Sequence, residues 1–357
     1  MWTARKRKTL GPMKDAPIRS GSHRVTNDVI YGLITSRITP DARVVDFGAG
    51  LGHMSQRLGG FFQAAGRQPR EHLTPCEIVP EIFSYPEADC RKIGIHSEIP
   101  VADASQDLIY AIEVLEHVPR PYDFFHEASR KLKPGGHLVF SVPNALHFKS
   151  RLRFLVTGYP EMFGPPSSLD KNAGRICGHI MPLSYPQFVY GLRRAGFTGI
   201  EFHADRLKRS SLFLSTVSYP LLWLGAWFND RDLRRYDPEV WQENRSLVWR
   251  VNRLDVLASR SCIVVARKPA LGPGDGARRA VQPADGGRGA EPSERSSLYL
   301  RWVSQALMRA TLQPWTPSRK PALSRYPRTH RKAPWRIGAQ APQRRPASHR
   351  DSAQSRA

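Results

Sequence analysis

Residues 44–52 read VVDFGAGLG, and this stretch decides the fold. A short β-branched strand (44–47) ends there, the chain turns on glycines, and HMSQRLGGFF (53–62) predicts a helix that stops at Gly59 and Gly60. Such a loop needs glycines because side chains would block the approach of a ligand to the backbone. The pattern predicts a ligand-binding loop of the kind found in nucleotide-binding folds.

The spacing of the glycines separates the classes of nucleotide-binding loop. A dinucleotide fingerprint requires its third glycine where this chain has His53, which argues against a nicotinamide-dependent oxidoreductase. The Lys-Ser/Thr pair of a P-loop does not follow the glycines, which excludes that class. Asp46, two residues before Gly48, places a carboxylate at the carboxyl end of the strand, where it can meet a cationic ligand.

Strand and helix patterns alternate along the rest of the chain, which predicts a mainly parallel sheet with helices on both faces. Ser184 is predicted to cap a helix that Gly196 follows, and KPGG (133–136) is predicted to form a tight turn. The predicted strands are 73–79, 107–112, 137–142, 198–203 and 261–267, and the predicted helices begin near Asn27 and cover 121–132 and 184–197.

The charge of the chain is concentrated at its two ends. The net charge is +23, yet residues 25–270 account for only +5 of it. Residues 1–24 carry seven basic side chains and one acidic, and residues 271–357 carry 17 and five, with 10 of the 30 prolines. We therefore expect a globular domain over 25–270, a basic flexible arm over 1–24, and a basic, mostly disordered tail over 271–357.

The cysteines and the first residues indicate the compartment. Four widely spaced cysteines favour neither a disulfide framework nor a zinc ribbon, and a reducing compartment is the default. The basic start of the chain has no apolar run behind it, which argues against a secretory signal. The expected location is the cytoplasm, with membrane association as an alternative.

Several motifs together resemble one enzyme family. VVDFGAGLG, CEIVPEIF, IPVADASQDLIYAIEVLEHVPRP, EASRKLKPGGHLVFSVPN and GHIMPLSYPQFVYGLRRAGF occur in the order seen in class I S-adenosylmethionine-dependent methyltransferases, and are most similar to the type 11/type 23 branch. The resemblance covers residues 40–203 and 261–267. It implies a Rossmann-like α/β sheet of seven strands, mainly parallel with an antiparallel last strand, and S-adenosylmethionine as cofactor.

The resemblance also implies roles for particular residues. Glu77 would bind the ribose hydroxyls, although by spacing alone it could equally be a solvated loop acid, and Ile78 would lie against the adenine. Glu113 would line the pocket near the sulfonium. The methionine part of the cofactor would be cradled by Asp46, Gly48, Gly50 and Gly52.

Three positions depart from the family pattern. Gly94 stands where the family often has an aspartate that caps the adenine. Gln106 replaces the usual phenylalanine before the aspartate of the fourth strand. The segment FFQAAGRQPREH (61–72) lengthens the connection between the glycine loop and Glu77.

Transfer of a methyl group to a hydroxyl requires a base to remove the proton. His117 is the predicted catalytic base because the pKa of histidine lies near neutrality. The alternative is that Glu116 and His117 cap the next helix and orient the loop. His147 and His179 are candidate substrate contacts, and His137 is predicted to be structural. No metal site is predicted, because no pair of His, Asp or Glu at ligand spacing has a second pair to complete it.

Two segments outside the glycine loop indicate the substrate class. Enzymes that methylate bases usually carry an Asn/Asp-Pro-Pro-aromatic element where this chain has AIEVLEH (111–117), so a small or lipophilic acceptor, methylated on oxygen, is predicted. Residues 204–260 form an insertion with an apolar stretch at 212–228. That stretch is either a hydrophobic lid or a peripheral membrane contact, and both favour a lipophilic or lipid-linked acceptor.

The basic ends leave two other functions open. One alternative is an RNA methyltransferase steered by the tails, and the other is a non-catalytic protein that binds cofactor or nucleic acid. Few aromatic residues stand in the tail to stack on bases. No specific nucleic-acid partner is therefore expected.

Overall fold

The computed structural model describes residues 17–94, 96–169, 175–207 and 209–270. The predicted tail (271–357) and the first 16 residues of the predicted arm lie outside the described residues. The strands are β1 (Val44–Phe47), β2 (Leu73–Glu77), β3 (Arg91–Lys92), β4 (Gln106–Ile112), β5 (Leu132–Pro143), β6 (Thr198–Ala204) and β7 (Ser261–Arg267).

The seven strands form one sheet in the order β3-β2-β1-β4-β5-β7-β6. The pairs from β3 through β5 are parallel, and β7 runs antiparallel between β5 and β6. The predicted sheet with an antiparallel last strand is therefore confirmed. Parallel strands end at one edge of a sheet, so this order brings the loops after β1, β4 and β5 together.

Helices cover both faces of the sheet, as predicted. α1 and α2 pack on one face, and α4 and α6 pack on the other. The ten α-helices of the described residues are α1 (Arg24–Thr35), α2 (His53–Ala64), α3 (Pro69–His72), α4 (Pro121–Lys131), α5 (Phe148–Thr157), α6 (Tyr185–Arg194), α7 (Arg209–Val217), α8 (Tyr219–Tyr236), α9 (Pro238–Arg250) and α10 (Leu254–Ala258).

The core lies in two layers, because successive side chains of a strand point to opposite faces. Val44 packs with Ile30 of α1 and Leu58 of α2, whereas Val45 packs in the layer of Phe124 (α4) and Phe188 (α6). All six side chains are buried. A central strand buried on both faces reads as a continuous apolar run, which is the pattern of VVDF.

Two predicted element boundaries were wrong. α2 continues through Gly59 and Gly60 to Ala64. Gly59 serves a packing purpose, since a Cβ there would lie 2.0 Å from the hydroxyl of Tyr85. Residues 133–136 belong to β5 and form an irregularity in its register with β4, where a separate turn was predicted.

The last residues of the predicted flexible arm belong to the folded domain. The amide of Ile18 donates to the side chain of Gln56 on α2 (2.9 Å). The carbonyl of Ile18 lies 2.7 Å from Nδ1 of His53. Asn27 donates to the hydroxyl of Ser20 (2.7 Å). These contacts hold residues 17–23 along α2, and α1 begins at Arg24, before the predicted start near Asn27.

The insertion at 204–260 is helical. The apolar stretch 212–228 falls on α7 and α8, whose axes meet at 66°. By length and composition none of the described helices alone could cross a membrane, and only this bent pair would meet the requirement jointly. α9 then returns along α8, and α10 leads into β7.

Candidate active site

The glycine loop is held in shape by backbone conformation and by β2. Gly48, Gly50 and Gly52 have φ values of 76°, 54° and 94°, a region that residues with a Cβ rarely adopt. A Cβ on Gly48 would lie 2.5 Å from the side chain of Val114. The amide of Gly48 donates to the carbonyl of Cys76 (2.9 Å), which fixes the loop against the end of β2.

Asp46 lies beneath this loop. Its carboxylate is buried and accepts a hydrogen bond of 2.6 Å from the Ser55 hydroxyl on α2. Burial raises the pKa of Asp46 to about 6, and the bond from Ser55 opposes that rise. A carboxylate in this position is poised to be stabilised by a cationic ligand in the adjoining cavity.

Glu77 closes the loop from the side of β2. One carboxylate oxygen accepts from the amide of Gly50 (2.8 Å), and the other accepts from the amide of Ile78 (2.7 Å). The carboxylate is therefore fixed by the backbone, which argues against a freely solvated loop acid. Ile78 beside it is 67 % exposed, and Leu51 and Ile82 also present apolar side chains to solvent.

A cavity of about 660 Å³ opens at the carboxyl ends of β1, β4 and β5. Of the predicted site residues, Gly52, Glu77 and Ile78 lie outside its lining. The predicted residues that the structure brings together around this cavity are Asp46, Gly48, Gly50, Glu113, His117 and His179.

Glu113 follows the last residue of β4 in a strained conformation, with φ of 53°. The Ser141 hydroxyl on β5 donates to its carboxyl (3.1 Å). Withdrawal from solvent raises the pKa of Glu113 to about 7, against the lowering effect of Ser141. The fold thus holds this side chain toward the cavity with a partly suppressed charge.

His117 and His179 meet at the same side of the cavity, with ring centroids 4.6 Å apart. Nδ1 of His117 lies 3.0 Å from the carbonyl of Gly178, and Nδ1 of His179 lies 2.7 Å from that of Met162. Since carbonyls only accept, each Nδ1 carries the proton and each Nε2 keeps a lone pair. Both rings are therefore oriented to accept a proton or bind a cation.

Glu116 and His117 do not cap the following helix. The cap of α4 falls at Arg120, with no side-chain cap bond. The carboxylate of Glu116 is instead buried in the cavity wall. The alternative that these two residues serve as a helix cap is wrong.

The other two histidines have structural positions. His147 caps α5, since its Nδ1 accepts from the amide of Ser150 (3.3 Å), and its Nε2 lies 3.2 Å from the carboxylate of Glu161. His147 is not among the described residues that line the cavity, so the structure does not support its predicted role as a substrate contact. His137 begins the paired part of β5 opposite Arg267, at the other end of the strand from the cavity.

One wall of the cavity is formed by residues that were not predicted from the sequence. The short polar run before α1 supplies it, and two arginines from the connections beside β6 and β7 complete it: Arg19, Ser20, Ser22, Asn27, Arg206 and Arg260. A polar segment next to a helix start is common on protein surfaces. Only its contacts with α2 reveal that it encloses the cavity.

The order of the sheet and a cavity at the carboxyl ends of its parallel strands define the class of the protein. Seven strands with β7 antiparallel between β5 and β6, and a glycine loop after β1, make a Rossmann-like methyltransferase fold.

Comparison with known proteins agrees with this class. A family model described as a methyltransferase domain matches residues 23–201, half of the chain. The chain belongs to this family of S-adenosylmethionine-dependent methyltransferases.

Two curated relatives share part of the chain. Malonyl-[acyl-carrier protein] O-methyltransferase of Hahella chejuensis is 31 % identical over 104 residues, which cover 28 % of this chain and 35 % of the relative. Ubiquinone biosynthesis O-methyltransferase of Coxiella burnetii is 35 % identical over 109 residues, 30 % of this chain and 44 % of the relative. The chain thus spans less than half the length of each.

Solved structures of methyltransferases also align with the chain at low identity. One from Archaeoglobus fulgidus is 14 % identical, with 68 % of this chain and 94 % of that chain covered and a TM-score of 0.41. Phosphoethanolamine N-methyltransferase 2 of Haemonchus contortus, solved with S-adenosyl-L-methionine, is 13 % identical, with 68 % and 52 % covered and a TM-score of 0.39.

Proposed function

We propose that this enzyme transfers a methyl group from S-adenosylmethionine to a hydroxyl oxygen of a lipophilic or lipid-linked acceptor. The observation that carries the proposal is an apolar surface on α5, α7 and α8 that begins beside the cavity. Both curated relatives described above are named O-methyltransferases, which favours oxygen as the methylated atom.

The glycine loop and its neighbours fit the cofactor. Gly50 has a positive φ, and no atom lies within 4 Å of the position that a Cβ would take there, so its backbone is open to a ligand. Glu77 is aimed by two amides at the outer side of the loop, where it can accept from ribose hydroxyls, and the exposed Ile78 and Leu51 offer an apolar contact for a ring. When bound, the cofactor supplies an electrophilic methyl group on a sulfonium.

His117 is the proposed proton acceptor for the hydroxyl. Its Nδ1–H is held by the carbonyl of Gly178, so the lone pair of Nε2 is available on the cavity side. The carbonyl also stabilises the imidazolium that forms when Nε2 takes the proton. Alignment of the acceptor with the methyl group is the other contribution of the protein.

The apolar surface lies on helices that are connected directly to the cavity. α5 starts five residues after Pro143 and ends five residues before Met162, both of which line the cavity, and α7 starts three residues after the lining residue Arg206. The exposed apolar side chains of this surface are Leu152, Phe154, Leu155 and Val156 on α5, Phe213 and Val217 on α7, and Leu221, Trp223, Leu224, Trp227 and Phe228 on α8.

The exposure of this surface favours contact with a lipid phase over a closed lid. No residue of 212–228, all of which the structure describes, lines the cavity. Leu155 is 81 % exposed and Leu221 is 71 % exposed, which is unusual for large apolar side chains in contiguous helices. The guanidinium of Arg231 lies 5.8 Å from the ring of Trp227, a combination suited to anionic headgroups.

The experiment that tests the function measures transfer of labelled methyl to a pair of phenols. One carries a long alkyl or isoprenoid tail and the other lacks it, and both are offered to the full chain with S-adenosylmethionine. We expect O-methylation of the tailed phenol with kcat/KM at least about tenfold higher, because the tail adds buried apolar area. Equal use of both phenols, or methylation only of amines or RNA, would contradict the proposal.

A matched pair of variants separates the apolar surface from the catalytic cavity. Leu155→Ser combined with Leu221→Ser should remove the preference for the tailed phenol and leave turnover of the short phenol unchanged. Tyr190→Ser, an exposed side chain on α6, is the control and should keep the preference.

A further inference from the structure

The loop before α6 is tied by its backbone to the segment after β4. The carbonyl of Glu116 accepts hydrogen bonds from the amides of Ile180 (2.9 Å) and Met181 (3.1 Å). This pairing places His179 beside Glu116 and His117, although 62 positions separate the two histidines in sequence. The expectation of no metal site rested on sequence spacing, and spacing does not show this contact.

The three side chains converge on one point. A carboxylate oxygen of Glu116 and one ring nitrogen each of His117 and His179 lie within 4.8 Å of one another. Both Nδ1 atoms are engaged by carbonyls, so the nitrogens left as donors of a lone pair are the two Nε2 atoms. Histidines that bind metals are oriented in this way, with the other ring nitrogen donating to a carbonyl or carboxylate.

The Glu116 carboxylate is buried and lacks a hydrogen-bond partner among the described residues. Its residue is 1 % exposed, and neither oxygen has a hydrogen-bond partner among the described residues. Glu113 brings a second carboxyl to the same wall of the cavity. An unpaired buried acid is costly, and a bound cation is one of the few ways to offset the cost.

We propose that Glu116, His117 and His179 form a binding site for a divalent transition-metal cation. Two imidazoles and one carboxylate are a mixed nitrogen and oxygen set that suits Zn²⁺, Mn²⁺ or Co²⁺, whereas Mg²⁺ prefers oxygen ligands alone. Three protein ligands leave coordination positions open, as in catalytic zinc sites.

The open positions face the cavity that also reaches the glycine loop. An acceptor hydroxyl bound to the cation would lose its proton to solvent more readily, since coordination lowers the pKa of a bound oxygen acid. In that case His117 is a metal ligand, and its role as a base is replaced. The cation site does not rest on the proposed acceptor, because cation binding is measured without turnover.

Calorimetric titration tests the proposal on the full chain after treatment with a chelator. We expect one equivalent of Zn²⁺ or Mn²⁺ to bind, and little heat from Mg²⁺ at the same concentration. His179→Ala and Glu116→Gln should each weaken binding at least about tenfold. His126→Ala, which removes an exposed histidine of α4, is the matched control and should bind as the wild type does.

Thermal unfolding shows whether a variant is folded. Glu116→Gln keeps the shape of the side chain and replaces an unpaired buried acid by a neutral amide, so it should unfold at a temperature no lower than that of the wild type in chelator. Zn²⁺ should raise the unfolding temperature of the wild type and not that of Glu116→Gln. The proposal is overturned by absence of stoichiometric binding, or by equal affinity in the wild type and His179→Ala. If the cation binds and neither phenol is methylated, only the proposed function fails.

Discussion

The carboxylate of Glu77 accepts a hydrogen bond of 2.8 Å from the amide of Gly50, which joins the end of β2 to the glycine loop that follows β1. The second oxygen is held by the amide of Ile78. One side chain thus fixes both the loop and its own orientation toward the ligand. Glu77 therefore positions two parts of the site, the glycine loop and its own carboxylate.

Loss of this carboxylate should weaken cofactor binding. We expect Glu77→Ala to lower the affinity for S-adenosylmethionine by about 10- to 100-fold, since hydrogen bonds to a charged group contribute roughly 1.5–3 kcal/mol. Calorimetric titration of the full chain measures the change. Glu87→Gln, at an exposed acid of the neighbouring segment, should bind normally, and unchanged affinity in Glu77→Ala would contradict the assignment.

Two adjacent glycines of α2 should respond in opposite directions. Gly60→Ala meets no atom within 4 Å and should stabilise the protein by about 0.5–1 kcal/mol, because alanine favours the helix. Gly59→Ala places its Cβ against Tyr85 and should lower the free energy of unfolding by about 1–3 kcal/mol. Urea unfolding of both variants measures the difference, and equal effects would show that Tyr85 moves without cost.

The buried acid of the glycine loop should make stability depend on pH. The pKa of Asp46 rises from 3.8 to about 6 on folding, so between these values the unfolded chain releases a proton that the native protein keeps. The free energy of unfolding should therefore fall as pH rises through this window, by about 3 kcal/mol in total at roughly 1.4 kcal/mol per pH unit.

Asp46→Asn isolates this contribution. Stability of the wild type relative to the variant should fall between pH 4 and pH 6.5 and change little above that. Urea unfolding at a series of pH values provides the measurement. A difference that is independent of pH would mean that Asp46 is ionised in the native protein throughout.

The apolar surface of α5, α7 and α8 should bind anionic vesicles. Flotation of the full chain with vesicles containing phosphatidylglycerol should recover more protein than flotation with neutral vesicles, and salt should reduce the difference. Leu155→Asp with Leu221→Asp should reduce recovery about tenfold or more, since it removes apolar contacts and adds negative charge. Recovery equal to that of the wild type would show that another part of the chain makes the contact.

Local patterns predicted much of the fold and the cofactor side of the site. VVDF is buried on both faces, and GAGLG needs backbone conformations that favour glycine, so both are visible in the order of residues. Ser184 likewise indicates the start of α6, where it forms a capping box with Gln187. These features depend on residues close together in the chain.

Contacts between distant segments could not be predicted in this way. His179 reaches His117 only because backbone hydrogen bonds tie its loop to Glu116. The polar residues before α1 become a wall of the cavity only through contacts with α2. The continuation of α2 through two glycines also depends on a distant contact. Tyr85 occupies the space that a Cβ at position 59 would need, so packing and not helix propensity sets the residue there.

The antiparallel direction of β7 determines where a fusion partner can be joined without obstructing the cavity. Ser261 lies at the cavity, and Arg267 pairs with His137 at the opposite edge of the sheet, about 20 Å away for six residues of strand. Residue 270 therefore lies on the side of the sheet remote from the cavity, whereas residue 17 lies beside it. A fusion partner or surface tether joined at residue 270 should leave substrate entry open, and one joined at residue 17 should obstruct it.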